Sequence, residues 1–187
     1  MKKSLVIALA IISLLSCKKL EEETSRQEVS VPATQQIDHQ SDYATEPFTG
    51  GLRLHLNLTG VTHVEMESVD GYALAGIATF VNRNGEISVS EISDKQSIIT
   101  FSAPEGSTFV ANKDYYITTF PCDVYGGYRL SIFKDGLVAH YFGVHQVIEA
   151  GEFITPLDLE ESELDFVDPS APLVEEACVS LGAAAWR

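Results

Sequence analysis

The sequence predicts an all-β fold, a sandwich or barrel built from antiparallel meanders and a Greek key. Three observations carry that expectation. Apolar and polar residues alternate in one short segment after another between Gly51 and Leu159. Gly-containing turn signals separate the segments at intervals of roughly 8 to 12 residues. No stretch in this range has helical periodicity, so there are no crossover helices to support parallel pairing.

The elements follow in order. Leu52 to Leu58 alternates without a break and places Arg53, His55 and Asn57 outward. After Gly60, Thr62 to Val69 alternates again, with Val64 and Met66 opposite His63, Glu65 and Glu67. Asp70-Gly71 predicts a two-residue hairpin into a strand from Tyr72 to Val81, bulged near Gly76. Asn82-Arg83-Asn84-Gly85 turns the chain into Glu86 to Ile92. Ile98 to Phe101 is a short apolar strand that ends before Pro104-Glu105-Gly106. Asp114 to Phe120 is rich in Tyr and Thr and stops at Pro121. Tyr128 to Phe133, Lys134-Asp135-Gly136 and Leu137 to Phe142 form a hairpin. Val144 to Ile148 and Phe153 to Leu157 complete the set of roughly nine or ten strands.

The ends have a different texture. Met1-Lys2-Lys3 precedes an apolar run from Leu5 to Leu15, too short for a membrane-spanning helix, which needs about 18 residues. With Leu14-Leu15-Ser16-Cys17 behind it, this is a secretory signal over 1–16 that resembles a bacterial lipobox. The resemblance implies cleavage between Ser16 and Cys17, lipid on the Cys17 sulfur and acylation of its new amine. Several acyl chains would then hold the protein to a membrane, where one alone binds marginally. Residues 17–50 are polar and read as a disordered tether. Lys18-Lys19-Leu20-Glu21-Glu22-Glu23 reads equally as a solvated charge run or as the acidic export signal of surface lipoproteins, which it resembles. From Asp158 the pattern is lost. Residues 160–187 read as an acidic, mostly disordered tail, with room for a short helix over Leu173 to Leu181.

Charge narrows the function classes. The chain of 187 residues has 12 Lys and Arg against 27 Asp and Glu, and loss of Lys2 and Lys3 leaves 10 against 27. That excess argues against nucleic acid and against docking on anionic lipid by charge. Of the three cysteines, Cys17 is assigned to lipid, and Cys122 and Cys178 read as free, partly buried thiols in preference to a disulfide. No catalytic motif or zinc spacing occurs, and neither a cofactor nor a metal is expected. His39 lies in the tether, His55 and His63 face out, and His140 and His145 are five apart, on opposite faces of a regular strand. The functional lead is aromatic. Tyr115, Tyr116, Tyr125 and Tyr128 cluster near Tyr141 and Phe142, and Tyr125 and Tyr128 are the candidate binding residues, able to stack on a sugar or anchor a protein.

Tyr115 to Pro121, then Gly126-Gly127-Tyr128 to Phe133 and Lys134-Asp135-Gly136, resemble the core block of fimbrillin-like lipoproteins of Bacteroidetes. Val69 to Gly76 and Val147 to Phe153 are similar to their flanking strands, so the resemblance spans about Leu52 to Leu159. It implies a transthyretin-like sandwich, commonly followed by a second one of which no second core is visible here. It implies a cell-surface outer-membrane lipoprotein, structural or adhesive: a fimbrial subunit or anchor whose partners are other fimbrillin-like subunits. Such subunits are cut after an Arg in the N-terminal segment and polymerise by strand exchange. Arg26 is the only basic residue between Leu20 and Gly51, and therefore the one candidate position. The alternative is a non-polymerising surface module that binds a glycan or a host protein.

Overall fold

Alternation becomes burial wherever a strand has one face on the core. A computed structural model describes residues 24–37, 48–83 and 86–171. It is all-β, with thirteen strands among those residues. They are β1 (Thr24–Val31), β2 (Thr34–Gln36), β3 (Gly50–Asn57), β4 (Val61–Ser68), β5 (Ala75–Arg83), β6 (Glu86–Gln96) and β7 (Ile98–Ser102). Then come β8 (Lys113–Thr119), β9 (Cys122–Val124), β10 (Tyr128–Lys134), β11 (Leu137–Gly143), β12 (Gln146–Ile148) and β13 (Phe153–Glu160).

A five-stranded sheet, β11-β10-β4-β7-β2, faces a three-stranded one, β13-β3-β8. Leu52, Leu54 and Leu56 of β3, Tyr115 and Ile117 of β8, and Leu159 of β13 fill one side of the core. Val64, Met66, Ile99, Phe101, Leu130, Ile132 and Ala139 fill the other. The two sides touch at Phe101 and Tyr115, with ring centroids 6.2 Å apart. A second three-stranded sheet, β1-β5-β6, extends the sandwich. Phe80 of β5 joins it to the core by packing on Phe48 at 5.0 Å and Phe120 at 6.5 Å. The small ribbon β12-β9 closes one end.

Gly76 has φ +134° at a register shift between Ala75 and Ile77, the bulge its position predicts. Asp135 and Gly136 both have positive φ and join β10 to β11 as a type I′ turn.

Four expectations need correction. First, the tether does not extend over 17–50, because β1 and β2 lie inside that range. Val29 and Val31 alternate with exposed Glu28 and Ser30, and the two valines bury. Second, Asp70-Gly71 turns the chain, with Gly71 N–H donating to Ser68 O at 3.0 Å, but it joins no hairpin. β4 and β5 enter different sheets. Leu74, fully buried, donates its N–H to Gln96 O and accepts that of Phe120, so the chain dives inward instead of folding back. Third, pairing is not uniformly antiparallel: β13 runs parallel to β3, and β2 to β7. The intervening strands carry the chain back to the far end, the task helices perform in α/β folds. Fourth, the tail is structured for several residues past 160. A 3-10 turn at Glu161–Glu163 leads to buried Leu164, and Val167 exchanges two 2.9 Å backbone hydrogen bonds with Val138. The helix expected over 173–181 lies outside the described residues.

Candidate functional site

The β9–β12 ribbon is three residue pairs long: Cys122 with Ile148, Asp123 with Val147, and Val124 with Gln146. Alternation divides its side chains between two faces. Val124 and Ile148 bury into the core, and Cys122 is half-buried beside them. Asp123, Tyr125, His145 and Val147 are all exposed on the other side. His145 Nε2 donates to Asp123 Oδ1 at 2.6 Å. The Tyr125 ring lies 5.2 Å from the His145 ring, centroid to centroid. Tyr125 is 73% exposed and Val144, next to His145, 74%.

The backbone around this face is fixed. Gly127 has φ +83°, and a Cβ there would strike the Gly143 carbonyl, so only glycine brings the two connections this close. The Asp70 carboxylate accepts the Gly126 N–H. Gly127 O accepts the Val69 N–H at 3.2 Å. The turn after β4 is thereby tied to the segment that presents Tyr125.

Tyr128, the other expected binding residue, is not available: it is 5% exposed. Its ring lies against Gly143, in space that a Cβ there would need. Burial, and then the neighbouring Tyr141, pushes its hydroxyl up to about 12. Tyr128 leads the inward series Tyr128, Leu130, Ile132, a pattern present in the sequence. Tyr115 is buried too, its hydroxyl donating to Val110 O and accepting the Val110 N–H. Tyr116 packs edge-on against Phe153 at 5.0 Å. Tyr125 alone of the Tyr115–Tyr128 cluster stands open.

Two polar clusters went unanticipated. On the outer face of the five-stranded sheet, Ser131 Oγ is 3.0 Å from His140 Nδ1. Burial, and then Arg129, lowers the His140 pKa. Both residues stand four positions from the Asp135-Gly136 turn, so the hairpin itself dictates the pairing. Among the described residues no carboxylate orients this imidazole, and the ladders on both sides of β10 use its main-chain donors. The two side chains face one another across the β10–β11 ladder as a cross-strand contact. On the outer face of β3 and β8, Arg53 Nη2 and His55 Nδ1 both donate to the Asp114 carboxylate. Those bonds, Arg53 first, lower the Asp114 pKa.

Arg26 is exposed on β1, opposite Val81 of β5. It is the third residue of the first described strand and does not precede it. Ser16, Cys17, His39 and Cys178 lie outside the described residues. Cys122 is a free thiol, pushed up to about 11 by burial and then by Asp123. Among the described residues no three His, Cys, Asp or Glu side chains converge as a metal site. No family model, curated protein or solved structure matches the chain.

Proposed function

We propose that the chain is a lipid-anchored cell-surface protein of fimbrillin-like type, structural or adhesive, held in the outer membrane by lipid on Cys17. A transthyretin-like strand order belongs to the same proposal. The observation that favours it is β1, an eight-residue strand at the edge of its sheet whose one partner there is β5. Arg26 is exposed within it. An edge strand is already extended, the form in which a protease takes its substrate. A cut after Arg26 would leave Gln27–Val31 on β5, five residues in place of eight. A shorter strand holds fewer ladder bonds and yields more readily to an incoming strand of another subunit.

The test is electrophoresis of membrane-extracted protein in SDS, with and without boiling. A ladder of heat-labile multimers, lost on replacing Arg26 by Ala, is the expected result. A single monomer band in both lanes would count against assembly. Labelled palmitate should enter the wild-type chain and not Cys17→Ala, which tests the anchor separately.

A further inference from the structure

We infer that the exposed face of the β9–β12 ribbon is a carbohydrate-binding platform for a neutral sugar of one or two rings. Tyr125 would stack on its apolar face, and Asp123 and Asp70 would accept its hydroxyls. The inference stands apart from strand exchange and lipid anchoring, since neither enters it.

The chemistry of the face selects this class of ligand. A pyranose has a flat patch of C–H groups and a rim of hydroxyl donors. Tyr125 offers an open aromatic ring. Its motion is restricted on one side by the His145 ring and fixed at its base by the Gly126–Asp70 hydrogen bond. A ligand therefore orders little that is not already ordered, which keeps the cost of binding small. Asp123 is held by His145 Nε2 through one oxygen, Oδ1. A carboxylate has about four lone-pair sites, so it keeps acceptors for a sugar hydroxyl. Asp70 stands at the residue after Tyr125 and supplies a second carboxylate. Val147, 50% exposed, adds an apolar wall across from Asp123.

Size and charge narrow the ligand. Three residue pairs at about 3.3 Å per residue, on two strands about 4.8 Å apart, give a footprint on the order of 100 Å². A stable protein partner needs about 800 Å² on each side. One or two sugar rings match the smaller figure. Two carboxylates beside the ring, on a chain of formal net charge −15, repel acidic sugars.

The test is backbone NMR of the full chain in a zwitterionic detergent, chosen because alkyl glycosides would compete. Lactose, cellobiose and sialyllactose are titrated separately to about 50 mM, a range that covers the weak affinity expected of so small a contact. Lactose or cellobiose should shift the amides of Tyr125, Gly126 and His145, and sialyllactose should bind more weakly than lactose. Tyr125→Ala should weaken binding at least about tenfold, Tyr125→Trp by less than about threefold, and Asp123→Ala by about fivefold. Val89→Ala, an exposed apolar residue on β6, should leave it unchanged. No shift at these amides with any of the three sugars overturns the inference and returns the face to a protein contact. Tighter binding of sialyllactose overturns the neutral class. Equal binding by wild type and Tyr125→Ala overturns the role of the ring. Loss of sugar binding alone would leave a heat-labile ladder, and the fimbrial reading, untouched.

Discussion

The side-chain amide of Gln35 replaces a missing strand beside Thr118. Its Nε2 donates to Thr118 O at 2.7 Å, and its Oε1 accepts the Thr118 N–H at 3.0 Å. Nε2 also donates to Pro32 O at 3.1 Å. Gln35 is 1% exposed and belongs to β2, at the edge of the five-stranded sheet, whereas Thr118 belongs to β8 in the facing sheet. One side chain thus fastens the N-terminal segment across the sandwich and satisfies a peptide group that β8 leaves unpaired on that side.

Replacing Gln35 by Leu keeps the bulk and removes the amide. It leaves the buried N–H and C=O of Thr118 without partners, at about 1–3 kcal/mol each, so a loss of roughly 2–6 kcal/mol is expected. Urea unfolding of Gln35→Leu against wild type measures the total. Faster hydrogen exchange at Thr118 in the same variant localises it. Unchanged exchange there would show that the two bonds do not protect the edge.

Gly51→Ala should be among the most damaging single-methyl changes in the chain. Its Cβ would fall inside contact distance of the Ile117 carbonyl and the Phe153 ring. Backbone cannot yield as a side-chain tip can, and overpacking costs typically about 1–3 kcal/mol, with more where a ladder must shift. Gly106→Ala, whose Cβ meets nothing within 4 Å, carries only the strain of φ +76°. A comparison of melting temperatures should place Gly51→Ala well below Gly106→Ala.

Stability should fall as the medium turns mildly acidic. Burial lowers the pKa of His63 and of His140 below their ordinary value of 6.5, so the folded chain holds both neutral where the unfolded chain takes up protons. Stability therefore rises with pH through this window. It is lost as pH falls from 6.5 through the lowered folded values. The urea midpoint should drop between about pH 7.5 and pH 5.5, and the His63→Gln/His140→Gln variant should flatten the drop. A slope unchanged in that variant would assign the effect to other groups.

Ending the chain after Glu160 should loosen β11. The removed segment contains buried Leu164, part-buried Phe166 and the Val167 pair of bonds to Val138. Leu164 alone is worth about 1.5–3 kcal/mol, and each hydrogen bond about 1 more, so a loss of roughly 3–5 kcal/mol is expected. Thermal unfolding reads the loss, and exchange at the Val138 amide tests its place.

Most strands from β3 onward were legible because one face is buried and the other is not, whereas β9 was hidden, its residues reading as part of a loop from Pro121 to Gly127. Leu52, Leu54 and Leu56 against Arg53, His55 and Asn57 is the plainest case. β1 and β2 were hidden because their inward residues are few and one is polar: Val29, Val31 and Gln35 do not stand out among Glu, Ser and Thr. The bonds that hold Gln35 against the facing sheet reach Thr118, 83 residues away, and no local pattern announces them. Asp70-Gly71 gave a correct turn and a wrong pairing, because turn chemistry fixes the reversal and not which strands then meet. At the candidate site, Tyr125 was found from its place in a loop. Its companions were not, because Asp123 and His145 meet only through a register that no turn between them announces.

The early start of β1 shortens the mooring line. Thr24 is seven residues after Cys17, and at about 3.3–3.6 Å per extended residue the span is at most about 25 Å. A lipid on Cys17 would therefore berth the sandwich against the headgroups, within reach of neighbours in the same layer and short of anything beyond a thick coat. Arg26 lies on the domain side of that line. A cut there would free the fold from its own lipid, so a processed copy would stay with the membrane only through the subunits it joins.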